Sequence, residues 1–340
     1  MSPDVRRLAA LVPTWNSPAA VHKLTLCALT LTLIFVLTGA VSSASARTNK
    51  GFPVDGLLVF SDEGTLYTIA PDGSGLRSLG ELAAFEPRWS PSGQLIAYSG
   101  ESEAANERVW LVRSDGSTPK QLTHPAPSVK DFSPAWFPRG GQLVFDRFVP
   151  GRIGVKERRS LREIRIDRSG SRLLRSGAPI LSTPDWSPNG KRIAGYVYGA
   201  DSTTSRLMVV EADGSSPRRL GPKGVEGQKP RWSPDGTRVA FVDESANSVR
   251  VLDLRTGRVR TVFDVSVYGN DFGWYTAWSP DGRWLAVMKD ALDECVDFDP
   301  TAEFCEHPEL WIVNATDGRE KLVYSGQQYG QSDGLDWRAP

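Results

Sequence analysis

One block returns along this chain of 340 residues and constrains its fold more than any other feature: a tryptophan, a Ser-Pro-Asp-Gly-like turn and an alternating apolar stretch. The copies read FEPRWSPSGQLIAYS around Trp89, FSPAWFPRGGQLVFD around Trp136, STPDWSPNGKRIAGY around Trp186, PRWSPDGTRVAFV around Trp232 and YTAWSPDGRWLAVM around Trp278, and a final fragment, GLDWRAP, carries Trp337. Successive tryptophans lie 47, 50, 46, 46 and 59 residues apart. That is the length of one four-stranded blade in a radial β-propeller.

Each copy reads as a blade. Pro230 to Trp232 predicts a short strand and Ser233 to Gly236 a turn, because Gly accepts the positive φ that a tight turn demands. Arg238 to Asp243 alternates as a strand, Ser248 to Leu254 follows as a third, and Arg258 to Val265 follows the Thr256-Gly257 turn as a fourth. The same punctuation falls between third and fourth strands at Asp72-Gly73, Asp115-Gly116, Ser169-Gly170, Asp213-Gly214 and Asp317-Gly318. With 32 Gly, 24 Pro and no helical periodicity beyond residue 46, the composition agrees.

The first repeat, residues 56–80, has three strands but no tryptophan strand ahead of it, whereas GLDWRAP has that strand and nothing after it. Pairing the two completes a blade and removes the exposed edges of an open ring. The expected fold is therefore all-β: a six-bladed β-propeller of four-stranded antiparallel blades over residues 47–340, closed by the C-terminal strand pairing into the first blade. Trp89, Trp136, Trp186, Trp232, Trp278 and Trp337 are the expected core residues. Each fills the wedge between adjacent blades and contributes about 4–6 kcal/mol before entropy is subtracted.

Residues 1–46 read as a targeting segment. Arg6, Arg7 and Lys23 precede an apolar run from Leu24 to Val41, and Ala44-Ser45-Ala46 offers a cleavage site. A cleaved signal peptide and an uncleaved membrane anchor are both compatible with a run of this length. Either places the rest of the chain outside the cytoplasm: periplasmic, secreted, or anchored on the outer side of the membrane. There, Cys295 and Cys305 are expected to form a disulfide. The formal charge of zero is no footprint for nucleic acid or for an anionic membrane surface.

Segments such as KPRWSPDGTRVAFV and RLMVVEADGSSPRRL resemble the WD-like repeats of the TolB-type six-bladed propeller family, and the resemblance covers about residues 51–340. It implies an extracytoplasmic propeller that binds other molecules through its loop faces or the mouth of its channel. The family pattern also places an α/β domain before the propeller. Here the first repeat starts within ten residues of the expected cleavage site, so the resemblance does not extend to that domain. Similar repeats occur in the propellers of prolyl-oligopeptidase-type enzymes, where catalysis belongs to a separate hydrolase domain.

The sequence holds no nucleophile elbow, phosphate-binding loop or paired-histidine zinc motif, and no cofactor is expected. His124 and His307 each stand without a second histidine near in sequence. Residues 289–309, an insertion in blade six, carry eight acids against one lysine. Asp293, Asp297 and Asp299 are its candidate oxygen ligands for Ca²⁺, although the spacing lacks the glycine and twelfth-position glutamate of an EF-hand loop. Blade three is the opposite case: residues 139–177 hold eleven bases and four acids, and Arg158, Arg159 and Arg162 mark a candidate basic docking surface.

By strand alternation, the residue before each tryptophan faces the central channel. These residues are Arg88, Ala135, Asp185, Arg231, Ala277 and Asp336, with the two arginines opposite each other and the two aspartates likewise. Arg88, Asp185, Arg231 and Asp336 are the candidate binding residues of the channel mouth. They suit either a small anionic or peptide ligand or a set of internal salt bridges. The function expected is a non-catalytic binding or scaffolding module for a protein or an envelope polymer. The other class is a propeller hydrolase or lyase acting on a lactone or glycan, with a metal held by channel carboxylates.

Overall fold

The computed structural model describes residue 52 and residues 55–340, apart from 103–105, 152–156, 168–169, 175–180, 199–203, 265–273, 295–303 and 327–331. Six four-stranded antiparallel sheets form a ring. Blade one comprises Ser332–Arg338, Leu57–Asp62, Thr65–Ile69 and Arg77–Glu81, from the innermost strand outward. The innermost strands of blades two to six are Ala84–Trp89, Lys130–Trp136, Ser182–Trp186, Gln228–Trp232 and Tyr275–Trp278. Closure takes place where the sequence places it: Ser332–Arg338 runs antiparallel to Leu57–Asp62, with Trp337 opposite Leu58.

The turn after each tryptophan explains the recurring motif. Ser233 Oγ donates to Asp235 Oδ1 and accepts from the Arg238 amide at 3.0 Å, while the Gly236 amide donates to the Ser233 carbonyl at 2.8 Å. Gly236 sits at φ +71°, open to glycine at no steric cost. The same arrangement recurs at Ser187 with Asn189 and at Ser279 with Asp281. In blades four, five and six, serine and an Asx residue two positions on thus satisfy the turn from within, which ties the first hairpin of these blades to local sequence.

Apolar burial is divided among the six interfaces between blades. Trp89 packs with Val59, Leu66 and Leu79 of blade one and with Ile96 and Val112 of its own blade. Trp136, Trp186, Trp232, Trp278 and Trp337 each anchor an equivalent cluster one step further round. At the perimeter, the fourth strands of blades two, three and four are two residues long and contain Lys120, Arg172, Arg218 and Arg219. Short, basic outer strands blunt the edges that a blade exposes to other chains.

Blade six departs from the others. Its middle strands, Trp284–Glu294 and Phe304–Asn314, each run for 11 residues and stay paired out to Glu294 opposite Phe304. Much of the acidic insertion is therefore a hairpin extension of the blade rather than a loop. Residues 1–46 lie outside the described residues, as do Cys295, Asp297 and Asp299. Among the described residues no helix is long and apolar enough to cross a membrane.

Candidate functional site

In four blades the innermost strand carries a bulge at the same place. Ladder pairing is interrupted between Phe85 and Arg88, Phe132 and Ala135, Ser182 and Asp185, and Gln228 and Arg231. Each bulge contains a residue with positive φ followed by proline: Glu86 at +50°, Ser133 at +54°, Thr183 at +42° and Lys229 at +49°. Proline has no amide to offer the ladder, so it suits a position where pairing lapses. In blade one Gly334, at φ +118°, takes the corresponding place, whereas Tyr275 of blade six, followed by Thr276, pairs regularly. The bulge delivers the side chain three positions before the tryptophan into the channel.

Deeper in the channel, the structure brings together the four charged residues that precede tryptophans. Arg88 is bonded to Asp185 and lies 3.8 Å from Asp336, and Arg231 Nη1 lies 3.6 Å from Asp185. The outer oxygens of the carboxylates accept from backbone: Asp336 Oδ2 from the Trp89 amide at 2.8 Å, Asp185 Oδ2 from the Trp232 amide at 2.9 Å. Arg231 also donates to the Leu335 carbonyl at 3.2 Å. Burial works against the Arg88 charge, but the two carboxylates outweigh it and hold its pKa raised. This cluster fastens four blades to one another across the axis and occupies the channel at that level.

Two spaces that share Glu86 and Tyr275 in their walls lie towards the ends where the innermost strands begin. The inner one, a throat of about 20 Å³, is lined by Glu86, Thr183, Lys229, Arg231, Tyr275 and Thr276 among others. The outer one, a funnel of about 460 Å³, is walled by Phe85, Glu86, Glu101, Glu107, Lys130, Phe132, Phe148, Arg159, Tyr275 and Asp333, with Glu86 and Tyr275 shared by both. Both bases of the funnel wall are engaged by protein groups. Lys130 pairs with Glu107 at 2.9 Å, while Arg159 pairs with Asp146 at 2.9 Å and lies over the rings of Phe132 and Phe148. Glu86 Oε2 accepts from Ser133 Oγ at 2.7 Å, and the Lys229 ammonium lies 3.8 Å from the centroid of Tyr275.

Two carboxyls here are pushed to about 7. For Asp146, whose side chain is 0% exposed, burial outweighs the attraction of Arg159. For Asp333, burial acts first and repulsion from Asp290 and Glu86 adds to it. Such perturbation concentrated round a cavity marks a candidate functional site. Sequence reasoning stopped one pair of residues short of the funnel. The signal was the proline two positions before Trp89, Trp136, Trp186 and Trp232, each time preceded by a polar residue.

The remaining sequence candidates are dispersed. Arg158 is exposed, Arg159 turns into the funnel, and Arg162 is half-buried, donating to Ser171 Oγ and to its carbonyl. Elsewhere in blade three, Arg147 pairs with Asp131, Arg165 with Asp167 and Arg172 with Glu163, so many of its bases are answered locally. His307 is buried with Nε2 3.8 Å from Glu309, and His124 is exposed. Asp293 belongs to a strand of blade six opposite Cys305, but the side chains of both lie outside the described residues. Among the described residues no group of three or more His, Cys, Asp or Glu is placed to hold a metal ion.

No protein-family model matches the chain. An uncharacterized protein of Agrobacterium fabrum is 27% identical over 214 residues, which cover 59% of this chain and 68% of that protein. Among solved structures, TolB from Acinetobacter baumannii superposes with a TM-score of 0.65 at 19% identity, over 85% of this chain and 68% of its own. An oligogalacturonate lyase in complex with manganese superposes with a TM-score of 0.50 at 14% identity, over 76% of this chain and 69% of its own. At these identities the likeness is one of fold.

Proposed function

We propose that this chain is a non-catalytic binding module of the cell envelope, exported by its N-terminal segment, and that its partner docks on the face where the innermost strands begin. The carrying observation is the asymmetry of the channel. On one side a funnel of about 460 Å³, walled by aromatic and charged side chains, opens to solvent; inward, the Arg88, Asp185, Arg231 and Asp336 cluster blocks it. Concave, partly aromatic sites with a few placed polar groups are where proteins take ligands. The likeness to the TolB propeller supports the reading at the level of fold, and the basic and apolar stretch before residue 47 supports export. The partner is a protein or an envelope polymer.

Site-specific photo-crosslinking in intact cells tests this. A crosslinker at Glu101, on the funnel wall, is expected to trap one envelope partner, and one at Asp281, in the turn beyond Trp278 at the opposite end of the strand, is expected to trap none. Equal capture from both positions, or capture from neither, would overturn the reading.

A further inference from the structure

At the end of the innermost strands opposite the funnel, a side chain of one blade packs against the tryptophan of the next. Arg238 of blade five lies over Trp278, its guanidinium carbon 4.7 Å from the ring centroid, and donates to the Gly282 carbonyl at 2.7 Å. Arg338 of blade one lies over Trp89 at 4.6 Å, so near the turn glycine that a Cβ on Gly93 would stand 2.8 Å from its Nη1. Phe137 of blade three meets Trp186 edge-on at 5.1 Å, and a Cβ on Gly190 would stand 2.7 Å from its ring. Leu95 and Trp284 pack into the clusters of Trp136 and Trp337. Two arginines from different positions of the repeat thus reach the same kind of seat, an indole beside a turn glycine.

At Trp232 the corresponding place is open. A cavity of about 430 Å³ lies there, walled by Pro188, Asn189, Arg192, Asp235, Gly236 and Leu254 as well as the indole. That is the size of a small-molecule site. Arg192 is the counterpart of Arg238, since each precedes the residue paired with its own blade's tryptophan, Ile193 opposite Trp186 and Val239 opposite Trp232. Its surroundings differ in two ways. Asp235, 3.9 Å from Arg238, is replaced in blade four by the uncharged Asn189. Glu211, opposite Arg192 on the next strand, lies 3.8 Å from its Nε, whereas the matching Asp253 of blade five already accepts from the Arg255 and Thr256 amides. Arg192 therefore turns to Glu211, with 47% of its side chain exposed.

The molecule itself shows what such a seat accepts: a planar cation that stacks on an indole and donates to a glycine carbonyl. Around the open seat, Asp235 supplies negative charge and Arg192 positive charge, a pattern matched by a ligand that carries a guanidinium and a carboxylate. We propose that this cavity is a binding site for a small guanidino acid of the size of free arginine, its guanidinium lying against Trp232 beside Gly236 and its carboxylate meeting Arg192. The site stands apart from the funnel and goes beyond the docking function proposed for that face.

Calorimetric titration of the full-length chain tests it, with L-arginine, L-citrulline, L-lysine and agmatine as probes. Saturable binding of L-arginine is expected, at least ten-fold tighter than that of L-citrulline, which lacks the charge, and of L-lysine, which lacks the plane. Agmatine, without the carboxylate, is expected to bind more weakly than L-arginine. The double variant Asn189→Asp, Glu211→Gln gives Arg192 the surroundings of Arg238 and is expected to draw it over Trp232, weakening L-arginine at least ten-fold with unchanged far-ultraviolet circular dichroism. In Arg192→Ala, which keeps the test open if the double variant fails to fold, L-arginine is expected to fall to the affinity of agmatine. Absence of saturable heat with L-arginine, equal affinity for L-citrulline or L-lysine, or L-arginine binding unweakened by either folded variant would overturn the proposal. Because crosslinking from Glu101 reads the funnel alone, its outcome and this one fail separately.

Discussion

Asp146 shows how burial and pairing compete at a single side chain. Its Oδ2 accepts from Arg159 and Ser182, yet Oδ1 is buried with no partner, and the carboxyl titrates at about 7 against 3.8 in an unfolded chain. Between those values the folded protein holds the proton more tightly than the unfolded one. Stability associated with this group is therefore full below about pH 4, falls as pH rises, and levels off above about pH 7. A shift of that size corresponds to about 4 kcal/mol at most. In Asp146→Asn the loss of stability between pH 4.5 and 7.5, measured by urea denaturation, is expected to be smaller than in the unmodified protein; parallel profiles would refute the assignment. At this scale, Arg88, Asp185, Arg231 and Asp336 were legible as channel residues because strand alternation is local, but alternation does not say which of them touch. The three-way contact of Arg88 with blades one and four depends on the curvature of the whole ring.

At the scale of the strand, the bulge is the element that makes the site. Its residues hold positive φ although only glycine adopts that region freely, and Thr183 is β-branched. Thr183→Gly removes that strain and is expected to stabilise the fold by about 0.5–1 kcal/mol net of the added freedom of the unfolded chain. Gly334→Ala has the opposite sign. At φ +118° an alanine is strained, and its Cβ would stand 2.6 Å from Glu86 Cα, backbone that has no room to yield. A loss of about 2 kcal/mol or more is expected, with both changes read from thermal or denaturant midpoints. Hairpins and turns were legible because Ser, Asx and Gly satisfy them within six residues. The four bulges were written in the sequence as well, as a polar residue and a proline before the pairs ending in Trp89, Trp136, Trp186 and Trp232. Their side chains, Glu, Ser, Thr and Lys, share no chemistry, so no site motif stood out.

At the scale of the molecule, six similar interfaces hold a ring whose first blade is shared between distant parts of the chain. Ending the chain after residue 331 would remove Trp337 from its cluster with Leu58 and Phe60 and leave Leu57–Asp62 with one unpaired side. Such a chain is expected to lose the native monomer, eluting as aggregate in size-exclusion chromatography, while a peptide of residues 332–340 added during refolding restores part of it. Ring size and closure were legible because the spacing of the tryptophans is a count. The funnel was not, because Phe148, Arg159 and Asp333 reach it from strand ends whose position follows only from the assembled ring. The pairing of Trp337 with Leu58 also has a temporal side. As the chain emerges in order, blades two to six can be completed in turn, but the first remains without its inner strand until residues 332–338 have followed. The arrival of that strand, rather than the appearance of any one repeat, is then the event that lets the ring lock.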